Sequence, residues 1–331
     1  MSWKGQFLRN VNGLLRSFDI QIARNSDIWR PTANRVGPHP QRGASSQETE
    51  RPFLKVFQGS GVDLNDRFDF AVVMQTMLRP EIDRALRSIF RQEFDGRVQV
   101  LVGVDVPLGS REALEQACRA VPERQCVFCF YPGYSTSRRH GGQHADGCGG
   151  ALRTVLSYLA NSRYVAYLDD DNWWSEDHLA SMREALSGAE WAYSGRWFVH
   201  PDSGRPICKD EWESVGPDRG EFKHFGGWVD PNCIAINKQV CEAVLPWFSI
   251  PVRGSDSWMD GDRNVFRILS REFKGRATGR YSVFYTLSEG DGQHTARMRQ
   301  IGAQQYAAAG RPAAEPKPQE AGPETRTRRE A

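Results

Sequence analysis

Between about Asp66 and Leu186, hydrophobic and polar positions alternate between two periods. Phe70-Ala-Val-Val-Met-Gln75 is a short, nearly unbroken apolar run, the pattern of a strand buried on both faces. After Arg79-Pro80 the spacing changes, and through Glu81 to Gln92 the residues Ile82, Leu86, Ile89 and Phe90 mark one face of a helix. The cycle then repeats. Val98 to Val104 reads as a strand ending at Asp105, Arg111 to Ala120 as a helix, and Cys126 to Tyr131 as a third strand. Ala151 to Ala160 reads as a helix with Leu152, Val155, Leu156 and Leu159 turned inward, and Tyr164 to Leu168 as a fourth strand ending at Asp169. A later strand is predicted over Tyr281 to Tyr285. Such alternation implies an α/β fold: one Rossmann-like, mostly parallel, right-handed wound sheet with helices on both faces. In that architecture ligands bind outside the carboxyl ends of the strands.

The ends of the chain follow other patterns. Over residues 1–30, Trp3, Phe7, Leu8, Val11, Leu14, Leu15 and Phe18 recur at helical spacing, with Lys4, Arg9 and Arg16 on the other side. Two readings of this amphipathic segment stay open: a helix packed on the protein's own core, or a basic helix lying on a membrane surface through residues 1–25. Residues 31–65 read as a linker, rich in Pro, Gly, Ser, Gln and Arg up to residue 50. Residues 66–305 form the expected single folded domain. Residues 306–331 carry Pro312, Pro316, Pro318 and Pro323 without a large apolar residue beyond Gly310, and are expected to be a disordered tail.

Composition narrows the classes further. The 331 residues include 43 basic and 41 acidic side chains, a net charge of +2, which argues against a protein that binds nucleic acid through its overall field. No apolar run approaches the roughly 20 residues that span a bilayer. An odd count of seven cysteines in a long chain suits reduced thiols, hence a cytoplasmic location, with peripheral contact on the inner membrane face if the first helix lies on a bilayer. Cys126-Val-Phe-Cys129 is the only CxxC and sits inside an apolar strand, so buried structural thiols are expected.

The predicted strand ends carry the candidate chemistry. The first runs into Thr76 and Arg79, the second into Asp105, the fourth into Asp169-Asp170-Asp171-Asn172. Consecutive carboxylates after an apolar strand are unfavourable unless a cation or a set of donors compensates them. Asp169 and Asp171, in alternate positions, can present oxygens to a hard divalent ion, Mn2+ or Mg2+. The same cluster can instead turn the chain and favour the helix start near Ser175-Glu176-Asp177.

Ala71-Val-Val-Met-Gln-Thr-Met-Leu-Arg-Pro80, the following helix and Val100-Leu-Val-Gly-Val-Asp105 together resemble the opening βαβ unit of family 2 glycosyltransferases with the GT-A fold. Tyr167-Leu-Asp-Asp-Asp-Asn-Trp-Trp174 is similar to that family's DxD segment, and Gly149-Gly-Ala-Leu-Arg153 to its arginine after a small-residue turn. The resemblance spans roughly Phe68 to Thr295. It implies that Thr76 and Arg79 lie beside the nucleotide, Asp105 accepts from the base edge, and Arg153 contacts the nucleotide or diphosphate. Asp169 and Asp170 would bind the nucleotide sugar, and Asp169 with Asp171 the metal. His294, in a region where some relatives carry a third ligand, would complete that site unless it is a surface or packing residue.

The family's catalytic base precedes a late helix, and the matching segment is Ser257-Trp-Met-Asp-Gly-Asp-Arg263. The usual Glu-Asp pair is replaced by Met-Asp and Gly-Asp. Asp260 and Asp262 both remain candidates for the base, and both suit helix N-terminal positions. Arg138-Arg139-His140-Gly-Gly-Gln-His144 is either a diphosphate cradle or a solvated loop. Trp173, Trp174, Trp228 and Asp230 are candidates for the acceptor side, where indole faces suit sugar rings and carboxylates bind hydroxyls. The expectation is a metal-dependent inverting transfer from a nucleotide sugar, a UDP-sugar foremost, to a hydroxyl on a glycan, lipid or small molecule. The alternatives are a nucleotidyltransferase, although Thr76 to Pro80 lacks the glycine-rich loop such enzymes carry, and an inactive sugar-nucleotide-binding module.

Overall fold

A computed structural model describes residues 51–144, 149–250, 261–290 and 292–311. The amphipathic segment 1–30, the first part of the linker, Asp260 and the tail from residue 312 lie outside the described residues. In chain order the first half contains β1 (Phe53–Gln58), β2 (Phe68–Thr76), α1 (Ile82–Phe90), β3 (Val98–Val104), α2 (Arg111–Cys118), β4 (Gln125–Tyr131), α3 (Gly150–Leu159) and β5 (Ser162–Tyr167). The second half contains β6 (Trp173–Trp174), α4 (His178–Leu186), β7 (Trp191–Val199), β8 (Pro206–Lys209), β9 (Gly216–Pro217), β10 (Gly227–Trp228), β11 (Ile234–Asn237), α5 (Gly261–Glu272), β12 (Gly275–Thr286), α6 (His294–Ile301) and α7 (Ala303–Gly310).

Ten strands form one sheet in the order β1-β4-β3-β2-β5-β11-β7-β12-β6, with β8 beside β7, while β9 and β10 pair separately. β4, β3, β2 and β5 are mutually parallel and form its centre. β11 runs antiparallel between β5 and β7, and β12 is parallel to β7. Every residue of β3 is buried, as a strand covered on both faces requires. Thr76 pairs with Val104, and Val73 with Tyr167, so the carboxyl ends of β2, β3 and β5 emerge together and bring Thr76, Asp105 and Asp169 to one edge. Cys126 and Cys129 are buried in β4, where burial pushes the Cys126 thiol up to about 12, as expected for structural thiols.

Three expectations need correction. The linker is not unstructured throughout: Phe53–Gln58 is an edge strand antiparallel to β4, its alternate residues Phe53, Lys55 and Phe57 half-buried. The tail begins later than residue 306, because Tyr306 packs on His200 and Ala309 is buried within α7. Finally, α3 turns Leu152, Arg153 and Leu156 inward and leaves Val155 and Leu159 exposed at 48% and 59%. The inward stripe includes a charge because two carboxylates meet it. Gly103 of β3 lets α3 approach, since a Cβ there would lie 2.7 Å from Leu152 and Leu156.

Behind the sheet edge lies a buried ionic cluster. Arg196 of β7 reaches Asp210 at 2.8 Å, Glu213 at 2.9 Å and Asp230 at 2.7 Å, and Arg297 of α6 forks onto Glu213 at 2.7 and 2.9 Å. These pairs tie β7, the chain after β8, the loop before β11 and α6 to one another. Among the described residues no helix is long and apolar enough to cross a membrane.

His178, fully buried at the start of α4, stacks on Trp174 and its Nδ1 lies 2.7 Å from Ser282 Oγ. Burial lowers its pKa from 6.5 to about 3, with Asp177 acting weakly the other way. The unfolded chain therefore takes up a proton on acidification before the folded chain does. Its contribution is intact above pH 6.5 and is lost as pH falls towards about 3, at up to about 1.4 kcal/mol per pH unit. In urea unfolding at pH 7.5 and pH 5, the wild type is expected to lose more stability than His178→Gln; equal losses would refute the assignment.

Candidate active site

The turn after β2 is locked by one carboxylate. Asp170, 3% exposed, accepts from Thr76 Oγ1 at 2.7 Å, Met77 N at 3.3 Å and Arg79 Nη1 at 3.1 Å. Thr76 Oγ1 in turn accepts from Leu78 N at 2.8 Å. Leu78 has φ +60, a conformation costly for a branched side chain, and its burial at 2% together with these bonds holds it there. Burial raises the pKa of Asp170 even though Arg79 opposes it.

Arg79 also reaches Asp171 Oδ2 at 2.6 Å. The backbone oxygen of Asp171 accepts from Thr286 Oγ1 at 2.6 Å and Arg84 Nη2 at 3.1 Å, so the end of β12 and α1 both hold the acidic turn. Burial first, then repulsion from Asp169, pushes Asp171 up to about 7 against the pull of Arg79. Burial and the neighbouring carboxylates thus outweigh Arg79 at Asp171.

Arg153 joins the two halves of the chain. α3 starts at Gly149, whose φ of +74 and approach to Gln75, where a Cβ would lie 2.5 Å from Oε1, exclude a side chain. One turn later Arg153, 4% exposed, donates from Nη2 to Asp169 Oδ1 and from Nη1 to Asp262 Oδ1, each at 2.7 Å. Asp262 lies in the first turn of α5. On its other side Asp169 is held by Asn232, whose Nδ2 donates to Asp169 Oδ2 at 2.8 Å and to Asp230 Oδ1 at 2.7 Å, while Oδ1 accepts from Asp169 N at 2.6 Å. Asp230 carries this support to Arg196.

Asp105 at the end of β3 accepts from Ser135 Oγ at 2.9 Å, Thr136 N at 3.0 Å and Thr136 Oγ1 at 3.2 Å. It thereby fixes the start of the loop that carries exposed Arg138 and Arg139 along the same sheet edge.

Residues 72–233 match the family model of glycosyl transferase family 2. This segment, just under half of the chain, is similar to glycosyl transferase family 2. No curated protein matches the chain. Among solved structures, S. aureus TarS 1-349 in complex with UDP-GlcNAc is 15% identical with a TM-score of 0.47, covering 70% of this chain and 65% of that one. The mannosyltransferase PcManGT from Pyrobaculum calidifontis, in complex with GDP-Man and Mn2+, is 15% identical with a TM-score of 0.46, covering 76% of this chain and 67% of that one. The chain spans less than two thirds of the TarS chains it matches. The likeness to the family rests on the model match over residues 72–233.

Within the matched segment and the part that follows it, Thr76, Arg79, Asp170 and Asp171 form one hydrogen-bonded group and Arg153, Asp169 and Asp262 another, the two joined along the chain at Asp169–Asp170. Several sequence-based expectations change. Arg153 holds Asp169 and Asp262 through its two outer nitrogens. Asp105 anchors its loop through Ser135 and Thr136. Trp174 and Trp228 are buried at 3% and 6%, and Asp230 faces Arg196, so burial leaves none of the three free to touch an acceptor directly. Trp173 lies under the Arg84 guanidinium at 3.7 Å and stacks on Phe284, which covers the ring expected to receive a sugar. His294 is the first residue of α6, and its Nδ1 is buried without a hydrogen-bond partner among the described residues. Sequence reasoning missed Asn232 and Arg84. The first stands in the polar Asp230-Pro-Asn232 stretch before an apolar strand, the second among the polar positions of α1, and neither carries a signal of its partners.

The donor set fits a hard divalent cation. Asp169 and Asp171 supply carboxylate oxygens, each with lone pairs beyond those used in the ion pairs. Among the described residues no cluster of three acidic, histidine or cysteine side chains surrounds an ion on its own, so a bound ion would complete its shell from a ligand and water.

Asn232→Leu leaves a buried carboxylate oxygen on each of Asp169 and Asp230, and one backbone N–H, without this partner. It is expected to lower the unfolding free energy by about 2–4 kcal/mol in urea. Asn232→Asp, which sets a third carboxylate between two, should cost more at pH 7 and recover as pH falls towards the ordinary carboxylate range. A loss independent of pH would contradict the placement.

Proposed function

We propose that the chain is a metal-dependent, inverting glycosyltransferase that moves a sugar from a nucleotide-sugar donor, a UDP-sugar foremost, to a hydroxyl on a glycan, lipid or small molecule. The observation that carries this reading is the Arg153 bridge, which sets a strand-end carboxylate, Asp169, and a helix-start carboxylate, Asp262, on one guanidinium. The likeness to the family supports the donor class, and the acidic turn supports the leaving-group side.

In this reading Asp262 accepts the proton of the acceptor hydroxyl as its oxygen attacks the anomeric carbon. The new glycosidic bond forms as the bond to the diphosphate breaks on the opposite face, and the nucleoside diphosphate departs with the bonding electrons. Arg153 fixes the direction from which Asp262 meets the acceptor. Arg79, with its side chain 44% exposed, has N–H donors to turn towards the departing diphosphate. A divalent cation held by Asp169 and Asp171 would supply neutralisation of diphosphate charge when bound, while no three-ligand group that would include His294 is present among the described residues.

The test measures sugar release or transfer across UDP-, GDP- and dTDP-sugars with Mn2+ or Mg2+. At least one donor is expected to turn over, to stop on chelation and to resume when metal returns. Asp262→Asn should bind that donor yet lose turnover by about 10²–10⁴-fold, the usual contribution of a general base. Failure of every donor to bind would overturn the proposal, and undiminished turnover in Asp262→Asn would remove that residue from its role. Pyrophosphate release from a nucleoside triphosphate and sugar phosphate would favour nucleotidyl transfer instead.

A further inference from the structure

Arg263 follows Asp262 on α5 and differs from every other arginine of the site. Arg79, Arg84, Arg153, Arg196 and Arg297 each donate to a carboxylate or a carbonyl. The Arg263 guanidinium instead lies over two aromatic rings, 3.8 Å from the centroid of Phe222 and 4.3 Å from that of Trp228, and makes no hydrogen bond or ion pair among the described residues. Burial lowers its pKa, with Glu213, Asp262 and Asp230 acting from beyond bonding distance in the other direction. The cation has thus given up water without gaining an anion, and its planar edge of N–H donors is unused.

The clamp is built and not incidental. Trp228 is 6% exposed, packs edge-on against Phe266 of the same helix, and belongs to β10, paired with β9. Phe222 precedes the turn Lys223–Phe225, whose residues are exposed, Phe225 to 80%. Stacking on rings fixes the plane of a guanidinium while leaving its edge free, which is how arginine is prepared for a flat, two-oxygen partner. Position decides which substrate would supply that partner. Asp262 faces Arg153 and the end of β5, whereas Arg263, the next residue round the helix, faces β10 and the loop before it. Donor-side groups gather on the first side, so Arg263 stands on the other side of the base.

We propose that Arg263 is an oxyanion subsite for the acceptor: the molecule whose hydroxyl Asp262 deprotonates carries a phosphate or carboxylate that the guanidinium receives edge-on. This rests on the reading of Asp262 as the base and narrows the acceptor to an anionic polyol or glycan.

Calorimetric titration of the full chain tests it with glycerol 1-phosphate, glycerate and glycerol. Saturable binding of at least one of the two anions, and none of glycerol, is expected; glycerol phosphate and glycerate separate phosphate from carboxylate recognition. Arg263→Gln should weaken that binding by about tenfold or more, and Arg263→Lys, which keeps the charge but not the fork, by less. Phe222→Leu, which loosens the clamp without touching the charge, should weaken it by about threefold. Saturating UDP should leave the anion's affinity unchanged. Absence of binding by either anion, undiminished binding in Arg263→Gln, or displacement by UDP would each overturn the subsite, the last by assigning the anion to the donor. A separate titration with sugar nucleotides keeps the two proposals apart: donor binding without anion binding defeats only the subsite, and the reverse keeps an anion site at Arg263 but defeats the donor reading and with it the assignment of that site to an acceptor.

Discussion

The Arg153 guanidinium lies between two carboxylates far apart in the chain, and the geometry of the site depends on that bridge. Asp169 ends β5, and Asp262 begins α5 almost a hundred residues later. One positive charge, 4% exposed, holds both at 2.7 Å. Removing one partner of such a buried pair leaves an uncompensated charge, which typically costs about 3–5 kcal/mol. The bridge also accounts for the rotation of α3. A charge on the inward stripe is tolerable only where carboxylates await it, and turning Arg153 to them moves Val155 and Leu159 to the surface.

Behind Asp169 the support continues through polar groups only. Asn232 spends its amide on Asp169 and Asp230, and Asp230 rests on Arg196, which also collects Asp210 and Glu213. Arg297 brings α6 into the same cluster, three residues after His294. Each member satisfies the next, so the front carboxylates have little freedom to drift. Such preorganisation matters where charge develops during a reaction, since groups already in place need no reorganisation. On the opposite flank Asp170 does comparable work for the β2 turn, holding Leu78 in its left-handed conformation.

The sheet was legible because buried parallel strands must be apolar along their whole length, and the helices between them because their apolar residues recur at helical spacing. Strand-end chemistry was legible for the same reason: once parallel order is set, Thr76, Asp105 and Asp169 have to meet. Partnerships were not. Periodicity treats arginine as solvent-facing, so it could not turn Arg153 inward, and nothing in Asp105 tells whether its oxygens await a ligand or a loop. The tryptophans misled because indole suits both sugar recognition and packing; burial assigned Trp174 and Trp228 to the framework. β1 was hidden by polar neighbours on both sides, though its alternation was present in Phe53, Lys55 and Phe57. The choice between Asp260 and Asp262 could not be made by spacing. Arg153 holds Asp262, and Asp260 lies outside the described residues.

The most direct test of the central claim is a double-mutant cycle between Arg153 and Asp262 in urea unfolding, using the wild type, Arg153→Met, Asp262→Asn and the double variant. If the guanidinium binds both carboxylates, the two substitutions will be non-additive, with a coupling energy of about 2 kcal/mol. Additivity to within about 0.5 kcal/mol would show that the two residues do not interact and would contradict the bridge on which the site is built.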